Sequence, residues 1–206
     1  MGRPSKFNRD DAVELVMNEI WQNGFEACSV KAISEKLGIT RSSFYNAFKS
    51  REALFMEALQ LYARRTPNRV LKNIDKNTKI TAAITKLFRD LCHFQITVSK
   101  GRGCMAVNCI TELSAVNHEL APILKDLLLT HIENFKTLLE TAVSRGELDS
   151  TLDTSATATS LQTTLLGIST LAKVVKNEDE LWSSTKQILM GLGVYNDELL
   201  KDGDKL

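Results

Sequence analysis

The stretch from Leu37 to Phe55 reads LGITRSSFYNAFKSREALF. A glycine and a threonine precede an arginine and two serines, with a tyrosine, a lysine and a second arginine behind them. Thr40 can cap a helix that starts at Arg41, and a helix N-terminus attracts anions through its unpaired N–H groups and partial positive charge. Arg41 adds a full charge, and its guanidinium has the geometry to pair with guanine O6 and N7. The chemistry implied is recognition of a polyanion rather than the making or breaking of bonds. No nucleophile–base pair, nucleotide-binding loop or metal-ligand cluster occurs at usable spacing, so no enzyme activity, cofactor or metal is expected. One thiol stands where it could react. In KGRGCMAVNCITEL, Cys104 follows a glycine turn at an expected helix start, two residues from Arg102. Dipole and cation there favour a thiolate. The competing reading makes Cys104 a small packing residue.

The elements that must hold these residues are helices. Apolar residues recur at helical spacing along nearly the whole chain, and no segment alternates with period two. Val13, Val16, Met17, Ile20 and Trp21 stripe a first helix that Asn8 can cap and Gly24 can end. Ser29 caps a second, Val30 to Leu37, which stops at Gly38. Thr40 caps the third, Arg41 to about Phe48, and a fourth runs from Arg51 until Pro67. Two short helices joined at Gly38, with Leu37 and Ile39 packing them together, make a helix-turn-helix whose second helix leads with Thr40 to Ser43. In such a unit that end enters the DNA major groove.

Five longer helices are expected beyond residue 77: a stripe from Ile80 to Val98, then about Cys104 to Val116, His118 to Arg145, Ser155 to Lys176 and Glu178 to Val194. The expected fold is all-α, with about nine helices. Residues 1–50 form the N-terminal DNA-binding domain, 51–66 a connecting helix, and 67–206 a larger C-terminal helical domain.

Composition agrees with a partner of negative charge. Through residue 72 there are twelve Lys and Arg against eight Asp and Glu, and afterwards fourteen against seventeen. The net +1 therefore conceals a mildly basic front third. No run approaches the ~20 apolar residues of a membrane span, and the start lacks a signal-peptide core, so a cytoplasmic protein without membrane contact is expected. The four cysteines form no CxxC pair.

Over about the first 65 residues the chain resembles the TetR/AcrR family of bacterial transcriptional regulators. SVKAISEKLGITRSSFYNAFKSREALF carries the resemblance, preceded by WQNGFEACS. The resemblance implies that Thr40 and Tyr45 hold phosphate oxygens and that Arg41, Ser42 and Ser43 meet base edges. Asn46 stands where the family usually has histidine or tyrosine. Lys49 and Arg51 flank the next helix start, where the family usually places a backbone-contacting lysine. Arg3, between Gly2 and Pro4, reads as an arm that could lie in a narrow minor groove.

For the remaining two thirds the resemblance rests on length, helix order and SRGELD (Ser144 to Asp149), and it implies a ligand-binding and dimerisation domain. Leu161, Leu165, Ile168 and Ala172, with Leu181 and Ile188, are the candidate seam between two subunits. Phe88, Leu91, Phe94, Met105 and Phe135 are the candidate lining of a small-molecule pocket. Together these readings describe a homodimeric repressor, released from a pseudo-palindromic double-stranded operator by an unknown small-molecule inducer. Two alternatives stay open. Some family members release DNA when electrophiles or oxidants modify a comparable Gly-Cys, which would make Cys104 a sensor. The chain could also bind DNA constitutively, without a ligand.

Overall fold

Three short polar side chains set the starts of the first three helices. In the computed structural model, which describes residues 8–68 and 74–200, Asn8 accepts from the Asp10 amide ahead of α1 (Arg9–Asn23). Ser29 accepts from Ala32 ahead of α2 (Val30–Leu37), and Thr40 from Ser43 ahead of α3 (Arg41–Phe48). Each cap satisfies one amide that the first turn of a helix leaves orphaned. The chain continues through α4 (Arg51–Arg65), α5 (Ile80–Thr97), α6 (Met105–Leu113), α7 (Leu120–Ser144), α8 (Thr154–Leu171) and α9 (Glu178–Gly191). The described residues hold these nine α-helices and no strand, so the fold is all-α.

The helix ends differ most at α8, expected to reach Lys176. It stops at Leu171 because Lys176 turns back, its ammonium donating to the carbonyls of Ala172 (3.0 Å) and Lys173 (2.7 Å). Those carbonyls are thereby satisfied without another helical turn. Asn177 then caps α9 through the amides of Asp179 and Glu180.

The chain divides into two compact units. The first joins the residues up to Arg65 with Met105–Leu124. Its core holds Trp21, Phe25, Phe44, Phe48, Leu54, Phe55 and Tyr62. Trp21 meets Tyr62, and Phe25 meets Phe55, edge to face at 5.0 and 5.1 Å. The division read from the sequence at residue 67 placed α6 with the C-terminal part. By packing it belongs here, because Met105, Cys109 and Leu113 form one buried face of α6, and α1 and α4 are its neighbours.

The second unit comprises Thr66–Cys104 and the residues from Lys125 onward. Its core gathers Ile84, Phe88 and Leu91 of α5, Phe135 and Leu139 of α7, Leu161 and Leu165 of α8, and Leu181 and Leu189 of α9. This corrects the seam read from the sequence. Leu161, Leu165, Ile168, Ala172 and Leu181 are all buried within this chain, none more than 4% exposed. A side chain already enclosed by its own fold has no surface left for a partner. Of the six candidates only Ile188 faces outward; Leu171 at the end of α8, Val174 just beyond it and Met190 on α9 are other exposed apolar residues of this unit.

Candidate nucleic-acid interface

The turn between α2 and α3 is fixed by backbone bonds. Gly38 takes the left-handed conformation (φ 63°, ψ 33°), its amide reaches back to Glu35, and the Ile39 amide reaches back to Ser34 at 3.0 Å. This closure satisfies the last carbonyls of α2, and the positive φ explains the glycine. Phe44 and Phe48 then anchor α3 from beneath, essentially without exposure. With those two rings buried, helical spacing turns Ser42, Tyr45 and Asn46 outward, while Arg41 and Lys49 stand at the two ends of α3. All five are exposed, as are Thr40 and Ser43.

Within that surface the roles separate. The Thr40 hydroxyl accepts from the Ser43 amide at 3.1 Å and lies 3.0 Å from the Ser43 hydroxyl, so these two hold the helix start in shape. Tyr45 rests edge-on against Phe44 at 5.5 Å and leaves about half its surface exposed. Arg41 and Lys49 make no ion pair among the described residues, whereas Lys31 and Lys36 are paired with Glu35 and Glu19. The two cations at the ends of α3 are therefore available to an anion.

Lys49 has a second property that the sequence did not reveal. Its backbone is at φ 66° and ψ −56°, and the Ser50 amide donates to the Phe48 carbonyl at 2.8 Å across it. That is a γ-turn of the strained hand, costing a non-glycine residue about 1–3 kcal/mol. It reverses the chain sharply into α4, whose first turn Ser50 caps through the Ala53 amide, and it leaves Lys49 at an exposed corner.

Arg51 departs from expectation. Its guanidinium lies 4.0 Å over the Phe25 ring and pairs with Glu26 and Glu52 at 3.4 and 3.6 Å, leaving its side chain 21% exposed. The stacking and the two carboxylates turn it towards the fold, so it braces α4 against the α1–α2 turn instead of joining the α3 surface. Arg3 lies outside the described residues.

Glu112 of α6 is a residue that sequence reasoning missed. Its two oxygens accept from the amides of Phe25 (3.0 Å) and Glu26 (2.8 Å), clamping the turn that leads into α2. At Gly24, whose φ of 84° favours glycine, a Cβ would stand 2.9 Å from this carboxylate and push the clamp aside. Two bidentate pairs, Arg9–Glu57 and Arg65–Glu14, staple α1 to α4. Nothing local in the sequence signals these pairings, which join residues 48 to 87 positions apart.

The five candidate pocket residues are divided between the two units. Phe88, Leu91 and Phe135 are core residues of the second unit, with the Phe88 and Phe135 rings stacked at 6.2 Å, while Met105 packs in the first unit. Phe94 is buried on α5. Cys104 immediately precedes α6 and is half-buried, whereas Cys28, Cys92 and Cys109 are buried. Burial pushes the Cys28 and Cys92 thiols up to about 11. The Arg102 guanidinium donates to the carbonyls of Ser99 and Val98 at the end of α5.

Known proteins share this architecture. Residues 14–58 match the family described as bacterial regulatory proteins, tetR family, and residues 81–188 match the tetracyclin repressor-like C-terminal domain. The HTH-type transcriptional repressor ComR of Escherichia coli K12 is 26% identical over 173 residues, covering 84% of this chain and 82% of its own. The uncharacterized HTH-type regulator YezE of Bacillus subtilis 168 is 24% identical over 182 residues, covering 88% and 94%. Among solved structures, a cysteine mutant of the TetR family transcriptional regulator CifR, complexed with 26-bp operator DNA, superposes with a TM-score of 0.82. It is 26% identical and covers 92% of this chain and 98% of its own. A regulator from Chloroflexus aurantiacus at 18% identity and a TM-score of 0.77 shares the fold. A C-terminal match spanning half the chain, joined to a helix-turn-helix match around α2 and α3, leads to one conclusion: the chain belongs to the TetR family of bacterial transcriptional regulators, which are not enzymes.

Proposed function

We propose that this chain is a homodimeric repressor that occupies a pseudo-palindromic operator in the bacterial cytoplasm and is released by a small molecule. The observation that carries the reading is the surface of α3, where Arg41 and Lys49 are unpaired among the described residues and flank Ser42, Tyr45 and Asn46. Phosphate contacts would fall to Thr40, Tyr45 and Lys49, and base contacts to Arg41, Ser42 and Ser43. The similarity to CifR, solved on operator DNA, supports duplex DNA as the partner.

Two recognition helices must reach successive major grooves, and a two-fold dimer supplies that spacing. Support for the dimer comes from exposed Leu171, Val174, Ile188 and Met190 on α8, its C-terminal turn and α9. Among the described residues no helix is long and apolar enough to cross a membrane. Release by a small molecule requires the ligand to bind one state of the dimer better than the other.

A second reading has its own observation: Cys104 is the one thiol of the four that is not buried. Modification of Cys104 by an electrophile would then replace ligand binding as the trigger.

Selection of genome fragments by the purified protein, with and without reductant, tests both readings. An enriched pseudo-palindrome supports the dimeric repressor. Enrichment lost on mild oxidation and restored by reductant favours Cys104. A failure to enrich any sequence removes the specific-regulator reading and leaves a constitutive DNA binder.

A further inference from the structure

A glutamine shut inside an apolar core is costly unless both ends of its amide are matched. Gln162 lies in the middle of α8, 3% exposed and flanked by the core residues Leu161 and Leu165. Neither its Oε1 nor its Nε2 meets a partner among the described residues.

A second amide is half-matched. Gln95 of α5 is fully buried, and its Nε2 donates to Ser169 Oγ at 3.2 Å. The Ser169 hydroxyl spends its own proton on the Leu165 carbonyl at 2.9 Å, so it can only accept from Gln95. That fixes the orientation of the Gln95 amide and leaves its Oε1 as an unmet acceptor. Gln162 and Ser169 are seven residues apart, hence on one face of α8 and ~10 Å apart along its axis. The two amides therefore bracket a single buried stretch, and the stacked Phe88 and Phe135 belong to the same core.

Two other buried hydroxyls of this unit do not compete for that role. Thr164 and Thr185 bond the carbonyls of Ser160 and Leu181 on their own helices. No Asp, Glu, Lys, Arg or His is buried among the described residues. Arg89, whose Nη1 is buried and whose guanidinium lies over the core-packed Trp182, is already paired with Glu178 at 2.9 Å. A carboxylate or ammonium entering this core would therefore find no unpaired opposite charge, and an uncompensated buried charge is prohibitive. An uncharged group that both donates and accepts would match Gln162 at both ends and could also donate to Gln95 Oε1.

We infer that Gln162 and Gln95 anchor an uncharged effector bearing both a hydrogen-bond donor and an acceptor, held in the core of the C-terminal unit. The inference rests on the small-molecule release reading and names the chemical class of the molecule.

The test uses the full chain and four matched probes: benzamide, benzoate, benzylammonium and toluene. Thermal unfolding reports binding, and fluorescence anisotropy of a selected operator fragment reports release. Benzamide at ten times its Kd is expected to raise Tm by roughly 3–5 °C, with no shift from the two ions. Gln162→Met is expected to abolish the benzamide shift while its own Tm, without probe, holds or rises, because an unmatched amide has gone. Gln95→Met is the second variant should the first fail to fold.

Any of four results overturns the inference: a shift with benzoate or benzylammonium equal to that with benzamide, an equal shift with toluene, a benzamide shift that survives both variants, or no shift with any probe. A benzamide shift that depends on Gln162 but leaves operator binding untouched keeps the site and removes the release reading instead. Loss of operator binding to other compounds, with no benzamide shift, keeps release and removes this site.

Discussion

Thr40 and Arg41 are neighbours whose loss should read out differently. Thr40 holds the start of α3 through the Ser43 amide, so Thr40→Ala should cost about 1 kcal/mol of stability, visible as a lower urea midpoint. Arg41 is exposed and unpaired among the described residues. Arg41→Ala should leave the midpoint unchanged and weaken binding to the preferred operator by ~1–3 kcal/mol, with less discrimination at one base pair. An equal loss on every sequence would reduce Arg41 to a backbone contact. The thiols separate in the same manner. Brief iodoacetamide treatment of the native protein, followed by mass spectrometry, should alkylate Cys104 first, because Cys28 and Cys92 are raised to about 11 and Cys109 is buried. Operator binding by Cys104→Ser that ignores electrophiles would support the sensor reading, and unchanged release in that variant would end it. At this scale the exposed residues of α3 were legible, since cap and spacing are local. Arg51 was not, because its direction is set by Phe25 and Glu26, about 25 positions away.

Single helices were legible too, but their partners were not. The α8 stripe of Leu161, Leu165 and Ile168 has the same spacing whether the neighbour is α5 of the same chain or a helix of another. Period alone names the face and not the occupant. The clamps between elements are long-range pairings of this kind. Glu112→Ala should leave the Phe25 and Glu26 amides unmatched, lowering stability by about 1–3 kcal/mol and weakening operator binding as the α1–α2 turn loosens. Glu112→Gln keeps one acceptor and should fall between. The staple of α1 to α4 should respond to pH. Hydrogen bonding to Arg65 holds the Glu14 carboxyl below its ordinary value, so its contribution exists above that value and disappears as pH falls through the lowered one. Comparing wild type with Glu14→Gln by thermal melts should therefore show a small gap at pH 7 that closes below about pH 4. A gap that persists under acid would mean that Glu14 acts through packing instead of charge.

For the whole molecule the test of assembly is to charge the outward face without touching the core. Ile188→Asp combined with Val174→Asp should yield a folded monomer by sedimentation and reduce affinity for a two-half-site operator far more than for a half-site. Leu165→Asp, on the buried side of α8, should instead unfold the C-terminal unit. A double variant that stays dimeric would move the interface elsewhere. The path of the chain carries one further consequence. The first unit is built from two pieces of sequence, the residues to Arg65 and the later Met105–Leu124. The second piece brings Met105, Cys109, Leu113 and the Glu112 carboxylate. A fragment ending at residue 66 would therefore be a half-built cassette, with an open seam on α1 and α4 and two unanswered amides. On the ribosome the DNA-reading end, though made first, cannot finish folding until nearly sixty more residues have emerged.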